Sequence, residues 1–512
     1  MRYQVLTTLI LSFAVHVRGQ VPTTFRSNAE ERSSFPKSNS INDVLLANDT
    51  IWIGSGRGLS QSADGGRGWK NFANVPPFES RGISALAKRG NTMWVASAYA
   101  ERRDGDAIQI GAGLHFSTDG GTTWSFVQQP VDTGTVDTLT YGRNRIAALA
   151  ITVPENNVTF DIALTSNTVW IASFAGMLRK STNNGRTWDR VILPPDGPLQ
   201  FIAPTDSLNF DLSPSSGRLG LRENLNHRVF SVIAPDDSTI WVGTAGGINK
   251  STDGGISWRK FNHQNQLQPI SGNFVVALAE QSWKDKRILW AATINAVDGN
   301  ERRGVSFTED GGSTWKTTLI GEFPHNFAFR DSIVYVAADG GLYRSSDFGR
   351  SWSRSGTVVD PLTLQRFGNP KFYAVGVRGD TVWVGTNEGL AYTIDSPTQP
   401  FATRWTIFRT YEPVGTTAQT YSYPLPFSPD EEVVRIHYGT QGKTLPVTIR
   451  IFDFGMQPVR TLIQSALRSG THEHDEIWNG MDDRGRRVAN GVYFYRIEYD
   501  GAERWGKIMV LQ

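Results

Sequence analysis

The eight residues STDGGISW at 251–258 decide the fold, because close copies of them recur along the chain. SADGGRGW stands at 62–69, STDGGTTW at 117–124, STNNGRTW at 181–188, TEDGGSTW at 308–315 and SSDFGRSW at 345–352. Recurrence of this kind marks one supersecondary unit copied many times, each copy needing its neighbours to bury its apolar face. A second phrase precedes each copy: IWIGS from Ile51, MWVAS from Met93, VWIAS from Val169, IWVGT from Ile240, LWAAT from Leu289 and VYVAA from Val334. A seventh phrase, VWVGT from Val382, leads to a degenerate copy that keeps Thr393 and Asp395, lacks the glycine and reaches its Trp405 late. From phrase aromatic to closing Trp the spacing is 17 residues in the first, fourth and sixth units and 18 in the third, so the unit is fixed and tolerates insertions.

Each phrase follows another short apolar stretch that ends in turn residues, and each is followed by GL or GI and two more residues. The unit therefore reads strand, turn, strand, turn, strand, box, strand. Seven such units predict an all-β chain with a seven-bladed β-propeller over 41–409. The box is the hairpin between third and fourth strands. Asp-Gly favours a tight turn, because Gly accepts positive φ without a steric penalty. Asp64, Asp119, Asn183, Asp253, Asp310 and Asp347 accept from turn amides, helped by the Ser or Thr hydroxyl two residues earlier. Trp69, Trp124, Trp188, Trp258, Trp315 and Trp352 then open the fourth strand as wedges between neighbouring blades.

The pattern Ser/Thr-x-Asp-x-Gly-x-Thr-Trp resembles the Asp-box, or bacterial neuraminidase repeat, family. Asn183 departs from it but keeps a carbonyl acceptor, and the seventh copy is degenerate. The resemblance implies that the boxes are structural and lie away from any active site. It brings in sialidases, yet their N-terminal Phe/Tyr-Arg-Ile-Pro phrase is absent; the nearest text is TFRSN at 24–28. Xyloglucanase-type relatives cradle substrate between two propellers, and one is read here. Photosystem II assembly factors and the sortilin receptor domain share the repeat and bind proteins without turnover.

From about Tyr411 the texture changes. Alternation at Val447, Ile449, Ile451 and at Val492, Phe494 predicts half-buried antiparallel strands, enough for a small sandwich. The run Trp478-Asn479-Gly480, Asp482-Asp483, Gly485 and 488–493 (VANGVY) resembles the FlgD-like immunoglobulin-like domain. That resemblance implies a sorting or surface-attachment module of the type IX secretion kind, working with the secretion machinery. The expected organisation is a signal peptide at 1–19, a linker at 20–40 with an added outer strand as the alternative, the propeller at 41–409, a linker at 410–420 and an immunoglobulin-like β-sandwich at 421–512. The signal peptide rests on Arg2, the apolar run Val5 to Val17 and Gly19. No later run is long and apolar enough to span a membrane.

Composition narrows the chemistry. The chain is 39% hydrophobic and 20% charged, a globular balance, and its formal net charge of +2 offers no general field for nucleic acid. With no cysteine there is neither disulfide nor thiol chemistry. No nucleotide, nucleophile-elbow or metalloprotease motif is present, and no cofactor is expected. The HEH at 472–474 has the makings of a metal pair, but alternate residues on a polar strand edge explain it.

Turns alternate between the two faces of a propeller. The insertions AYAERRDGDAIQIGAG in the second unit and INAVDGNERRG in the fifth, with long links at 125–160 and 189–228, all fall on the face opposite the boxes. Both insertions carry the same phrase, Glu101-Arg102-Arg103 and Glu301-Arg302-Arg303. Four arginines on one face suit bidentate capture of carboxylates or sulfates, with pairing to Asp104, Asp106 and Asp298 as the structural alternative. The expected function is a secreted or outer-surface scaffold that binds an extracellular glycan or protein. The competing expectation is a glycoside hydrolase with paired carboxylates on that face.

Overall fold

The computed structural model describes residues 23–26, 31–33 and 35–511 apart from 74, 80, 104, 135–137, 214–222, 297–298, 364, 369, 410–419, 431–432 and 471–473. The expected signal peptide, nearly all of the linker at 410–420, and Asp104, Asp298 and His472 lie outside the described residues. The fold is all-β, of propeller type, with one short 3-10 turn at Leu225–His227 among the described residues. None of the described helices is long and apolar enough to cross a membrane.

From residue 41 to 408 the described chain makes seven large antiparallel sheets, each built on four strands in chain order, and one two-stranded sheet, Thr138–Tyr141 with Asn144–Ala147. The first holds Ile41–Ala47, Thr50–Ser55, Gly58–Ser62 and Trp69–Asn71. The first strands of the next six are Gly82–Arg89, Thr159–Leu164, Val229–Ile233, Phe274–Trp283, Pro324–Arg330 and Phe372–Arg378. Each first strand packs on the first strand of the following sheet, and Phe372–Arg378 packs on Ile41–Ala47. Both faces of every sheet are therefore covered. That is why a second strand such as Ile240–Thr244 is buried at all five positions and reads as a continuous apolar run instead of alternating.

The box is wider than the two-residue hairpin that Asp-Gly alone suggests. Pairing stops at Lys250 and Arg259, and the eight residues between them form a loop closed by their own side chains. Ser251 Oγ donates to Asp253 Oδ1 (2.7 Å) and accepts from Gly255 N (2.8 Å). Asp253 Oδ1 also accepts from Ser257 N (2.9 Å), and Ser257 Oγ donates to Oδ2 (2.6 Å). In the third box Asn183 Oδ1 accepts from Thr187 N (2.9 Å), but its Nδ2 now donates to Thr187 Oγ1 (2.7 Å), so one bond is reversed and the loop kept. Gly254 and Gly255 both have positive φ, +70° and +82°.

The second glycine has a further task. A Cβ at Gly255 would overlap Trp170 of the preceding sheet; one at Gly349 would lie 2.8 Å from Trp290, and one at Gly185 3.1 Å from Trp94. Gly121 and Gly66 meet Trp52 and Trp383 in the same way, and Gly312 meets Phe261, which packs on Trp241. Gly66 on Trp383 joins the last sheet to the first. The interface that lacks the box glycine also lacks the tryptophan. There Tyr335 Oη donates to Asp395 Oδ2, which Arg344 Nε (2.6 Å) and Arg330 Nη2 (3.2 Å) also reach. A polar network stands in for the missing contact.

Two stretches within residues 20–40 are strands. Thr23–Arg26 pairs with the fourth strand of the second sheet, and Glu31–Ser33 with that of the first. Outer strands leave an edge unpaired, and these two segments cover two such edges. Phe201–Ile202 does the same for the fourth sheet.

Beyond the seven sheets, Thr420–Tyr423, Val434–Tyr438 and His474–Trp478 form one sheet, and Pro458–Arg468, Leu445–Phe452, Gly491–Tyr499 and Ala502–Val510 another. They share a core that includes Ile436, Trp478, Ile449 and Tyr495. Val447, Ile449 and Ile451 point into it, as expected. Val492 and Phe494 do not; Tyr493, Tyr495 and Ile497 of the alternate set fill the core instead. Both sets are apolar or aromatic, so periodicity alone was ambiguous. His474 Nε2 bonds Ser469 O (2.8 Å).

The two box glycines should separate by cost. Gly254→Ala meets nothing closer than Asp237 O at 3.6 Å, so it carries only the left-handed backbone penalty of about 1 kcal/mol. Gly255→Ala adds overpacking against Trp170 and should lose about 2–4 kcal/mol in total. Urea unfolding of the two variants measures the difference; equal losses would reject the contact.

Candidate functional site

Every first strand bulges near its start. The register skips between Ile41 and Asp43, Ile83 and Ala85, Thr159 and Asp161, Val229 and Ser231, Val275 and Ala277, Pro324 and Asn326, and Phe372 and Ala374. A bulge leaves one residue unpaired and re-aims its neighbours. The unpaired residues are Asn42, Ser84, Phe160, Phe230, Val276, His325 and Tyr373, and all seven line a central channel of about 670 Å³. Each bulge lies at the strand end next to the second-to-third turn, so this mouth is on the face opposite the boxes.

The mouth has two halves. Sheets three to five supply an aromatic shelf in which Phe230 lies 4.4 Å from Phe274, 5.3 Å from Phe160 and 6.0 Å from Phe174, centroid to centroid. Phe160 is 38% exposed, high for so large an apolar ring. Arg228 lies over Phe174 at 5.1 Å. Sheets six and seven supply a polar half. His325 Nε2 bonds Asp339 Oδ1 (2.7 Å), Lys371 Nζ bonds Asp339 Oδ2 (2.9 Å), and Tyr373 meets the His325 ring edge-on at 5.2 Å. Burial opposes the charged form of Asp339, but the bonds from His325 and Lys371 outweigh it and hold the carboxyl below its ordinary value. Ser84 Oγ donates to Thr159 O (2.7 Å) and Asn42 Nδ2 to Ile83 O (3.0 Å), tying neighbouring sheets together.

Below the bulges, Asp43 Oδ2 accepts from Leu86 N (3.1 Å), and Asp161 accepts from Ile162 N (2.8 Å) and Val232 N (2.9 Å). The surrounding walls push both carboxyls up, Asp43 to about 6 and Asp161 to about 7, against the lowering effect of those amides. Channel solvent still reaches both side chains, since each residue is half-buried.

The sequence-derived arginines are placed differently. Glu101, Arg102 and Arg103 belong to a long hairpin of the second sheet, and Glu301, Arg302 and Arg303 precede the third strand of the fifth. These sheets are not neighbours in the order of packed first strands, so the two phrases do not come together through a shared interface. Arg103 pairs with Glu101 (2.9 Å) and Glu155 (3.2 Å). Arg102 and Arg302 are exposed, and Arg303 Nε donates to Gly321 O (2.6 Å). Glu301 is engaged within its own loop. It is 6% exposed, and its carboxylate accepts from Asn273 N (3.0 Å), Asn273 Nδ2 (2.9 Å) and Ala296 N (2.7 Å), which fastens the inserted loop.

Reading the sequence did not find the phenylalanine shelf. Its signal was present as an aromatic at the start of three successive first strands, in VTFDIAL, RVFSVI and GNFVVAL. Phe160 and Phe230 are the unpaired residues of their bulges, whereas Phe274 lies two residues before the unpaired Val276 of its own strand.

The channel carboxyls set a pH dependence. A carboxyl with a raised folded pKa favours the fold while protonated, and that stability is lost as pH climbs from the ordinary Asp value through about 6 and 7. The box carboxyls work the other way: Asp119 and Asp310, lowered to about 2, lose stability only in stronger acid. The melting temperature should therefore fall between pH 5 and pH 8. The slope should flatten in an Asp43→Asn/Asp161→Asn variant even if its baseline is lower; an unchanged slope would reject the assignment.

No family model matches the chain. It is 22% identical over 309 residues to the photosystem II assembly lipoprotein Ycf48 of Synechococcus sp. (strain CC9902), covering 56% of this chain and 79% of that protein. It is 25% identical over 224 residues to a sialidase of Bacteroides fragilis (strain YCH46), 40% of this chain and 37% of the sialidase, so it spans little more than a third of that enzyme. Among solved structures, YCF48 bound to D1 peptide superposes with a TM-score of 0.42 at 14% identity, over 72% of this chain and 97% of that one.

Proposed function

We propose that the seven sheets form one seven-bladed Asp-box propeller, and that its channel mouth binds an extracellular glycan at the outer cell surface or in the secreted state. The carrying observation is the two-sided mouth. The Phe160–Phe230–Phe274 shelf offers flat apolar faces for sugar rings, and the His325–Asp339–Lys371 group beside it offers hydrogen bonds. A concave site with an apolar wall and a few fixed polar groups is the usual form of a ligand site. The two tail sheets act as an immunoglobulin-like, FlgD-like module for export or surface attachment. The carboxylates of the mouth are already engaged: Asp43 and Asp161 by strand amides, Asp339 by His325 and Lys371. That arrangement favours binding over glycoside hydrolysis.

A polysaccharide and sialoglycan panel tests this, with retention and product release read from the same samples. Phe160→Ala/Phe230→Ala should cut retention at least about tenfold, since stacking is worth about 1–3 kcal/mol per ring by analogy with base stacking. Retention lost instead in the Arg102/Arg103/Arg302/Arg303 alanine variant would move the site to the arginine loops. Catalytic product release would replace binding by hydrolysis. Absence of any glycan retention would leave a protein partner as the ligand class.

A further inference from the structure

Between the third and fourth sheets lies a second feature, which shares Arg228 with the mouth. Arg179 and Arg190 point inward from the third and fourth strands of sheet three, with side chains only 2% and 3% exposed. One carboxylate, Asp132, serves both: Arg179 Nη1 lies 3.0 Å from Oδ1 and Arg190 Nε 3.4 Å from Oδ2. Arg190 Nη1 donates to Leu149 O (2.8 Å), but Nη2 has no partner, and neither has Arg179 Nη2. Two buried guanidiniums against one carboxylate leave an excess positive charge, a costly state unless something compensates it.

His227 and Arg190 both line a small, partly open cavity of about 10 Å³, room for a single small occupant. Leu193 N donates to His227 Nε2 (3.2 Å), which makes Nε2 the acceptor. In the neutral ring the proton therefore sits on Nδ1, and that N–H has no acceptor. Burial first, and the neighbouring Arg228, Lys260 and Arg190 next, push the imidazole down to about 3, so it stays neutral at physiological pH. Arg228 also borders the cavity, with Asp196 and Glu223 as its nearby opposite charges.

The unpaired atoms contributed by Arg190 and His227 are thus all donors, and the local charge is positive. A water there would still need acceptors for its own two hydrogens; a monatomic anion needs none and cancels the charge. We infer that this cavity is a halide site, holding chloride between His227 Nδ1–H and the Arg190 guanidinium. The anion would help fasten the turn at Leu225–His227 to sheet three.

Crystals of the full chain grown or soaked in bromide test the site directly. The expected result is an anomalous peak in the cavity within hydrogen-bond reach of His227 Nδ1 and Arg190 Nη2; a water in bromide-containing crystals would overturn the proposal. In solution, replacing gluconate by chloride at constant ionic strength should raise the melting temperature saturably by about 2–4 °C. Arg190→Met leaves Arg179 and Asp132 as a balanced pair, so its melting temperature should be indifferent to the anion. The same chloride dependence in that variant, or none in the unaltered chain, would also overturn it. If the variant does not fold, the bromide experiment on the unaltered chain still decides.

Discussion

The structure rests on the contact between a glycine in one sheet and a tryptophan in the sheet before it. A loop of eight residues folds on its own hydrogen bonds and presents a bare Cα at a fixed point. The neighbouring indole edge fits against it because no Cβ intervenes. Repeated around the described sheets, from Gly66 on Trp383 to Gly349 on Trp290, the contact sets the spacing between neighbours. It also explains a pairing that neither residue explains alone. The unit with tyrosine in its phrase is the one that faces the box without glycine, and there Tyr335 and Asp395 meet through a hydrogen bond.

With the outer spacing fixed, the first strands must converge, and their bulges gather seven unpaired residues at one end of the channel. None is notable in its own strand. Phe160 and Phe230 become a shelf only because sheets three and four are adjacent, and His325 meets Tyr373 only because sheets six and seven are. The same convergence takes Asp43 and Asp161 far enough from bulk water to raise their proton affinity, while each is still tied to a strand amide. Aromatic shelf and titration behaviour thus have one origin, the convergence of the first strands.

The units, the loops and the aromatic wedges were legible in the sequence because each depends on residues a few positions apart. Legibility ended where two solutions were locally equivalent. In the tail, Val492–Phe494 and Tyr493–Tyr495 are both apolar sets, and only the opposite sheet decides which faces inward. Residues 23–26 and 31–33 carry no strong strand pattern, yet they become strands because the outer edges of two sheets offer unpaired amides and carbonyls. In the sequence Glu301 reads as a candidate ligand contact beside Arg302 and Arg303, and nothing local connects it with Asn273, which donates to its carboxylate.

The sequence by itself therefore determined the repeat, the box hydrogen bonds and the need for glycine at positive φ in the box, because those are short-range demands of backbone geometry. Tertiary structure alone decided which side chains share the channel mouth, which carboxyls lose water and which charges are left uncompensated in the interior. Those outcomes depend on which sheet lies next to which, and that order is fixed only when the last strand packs against the first.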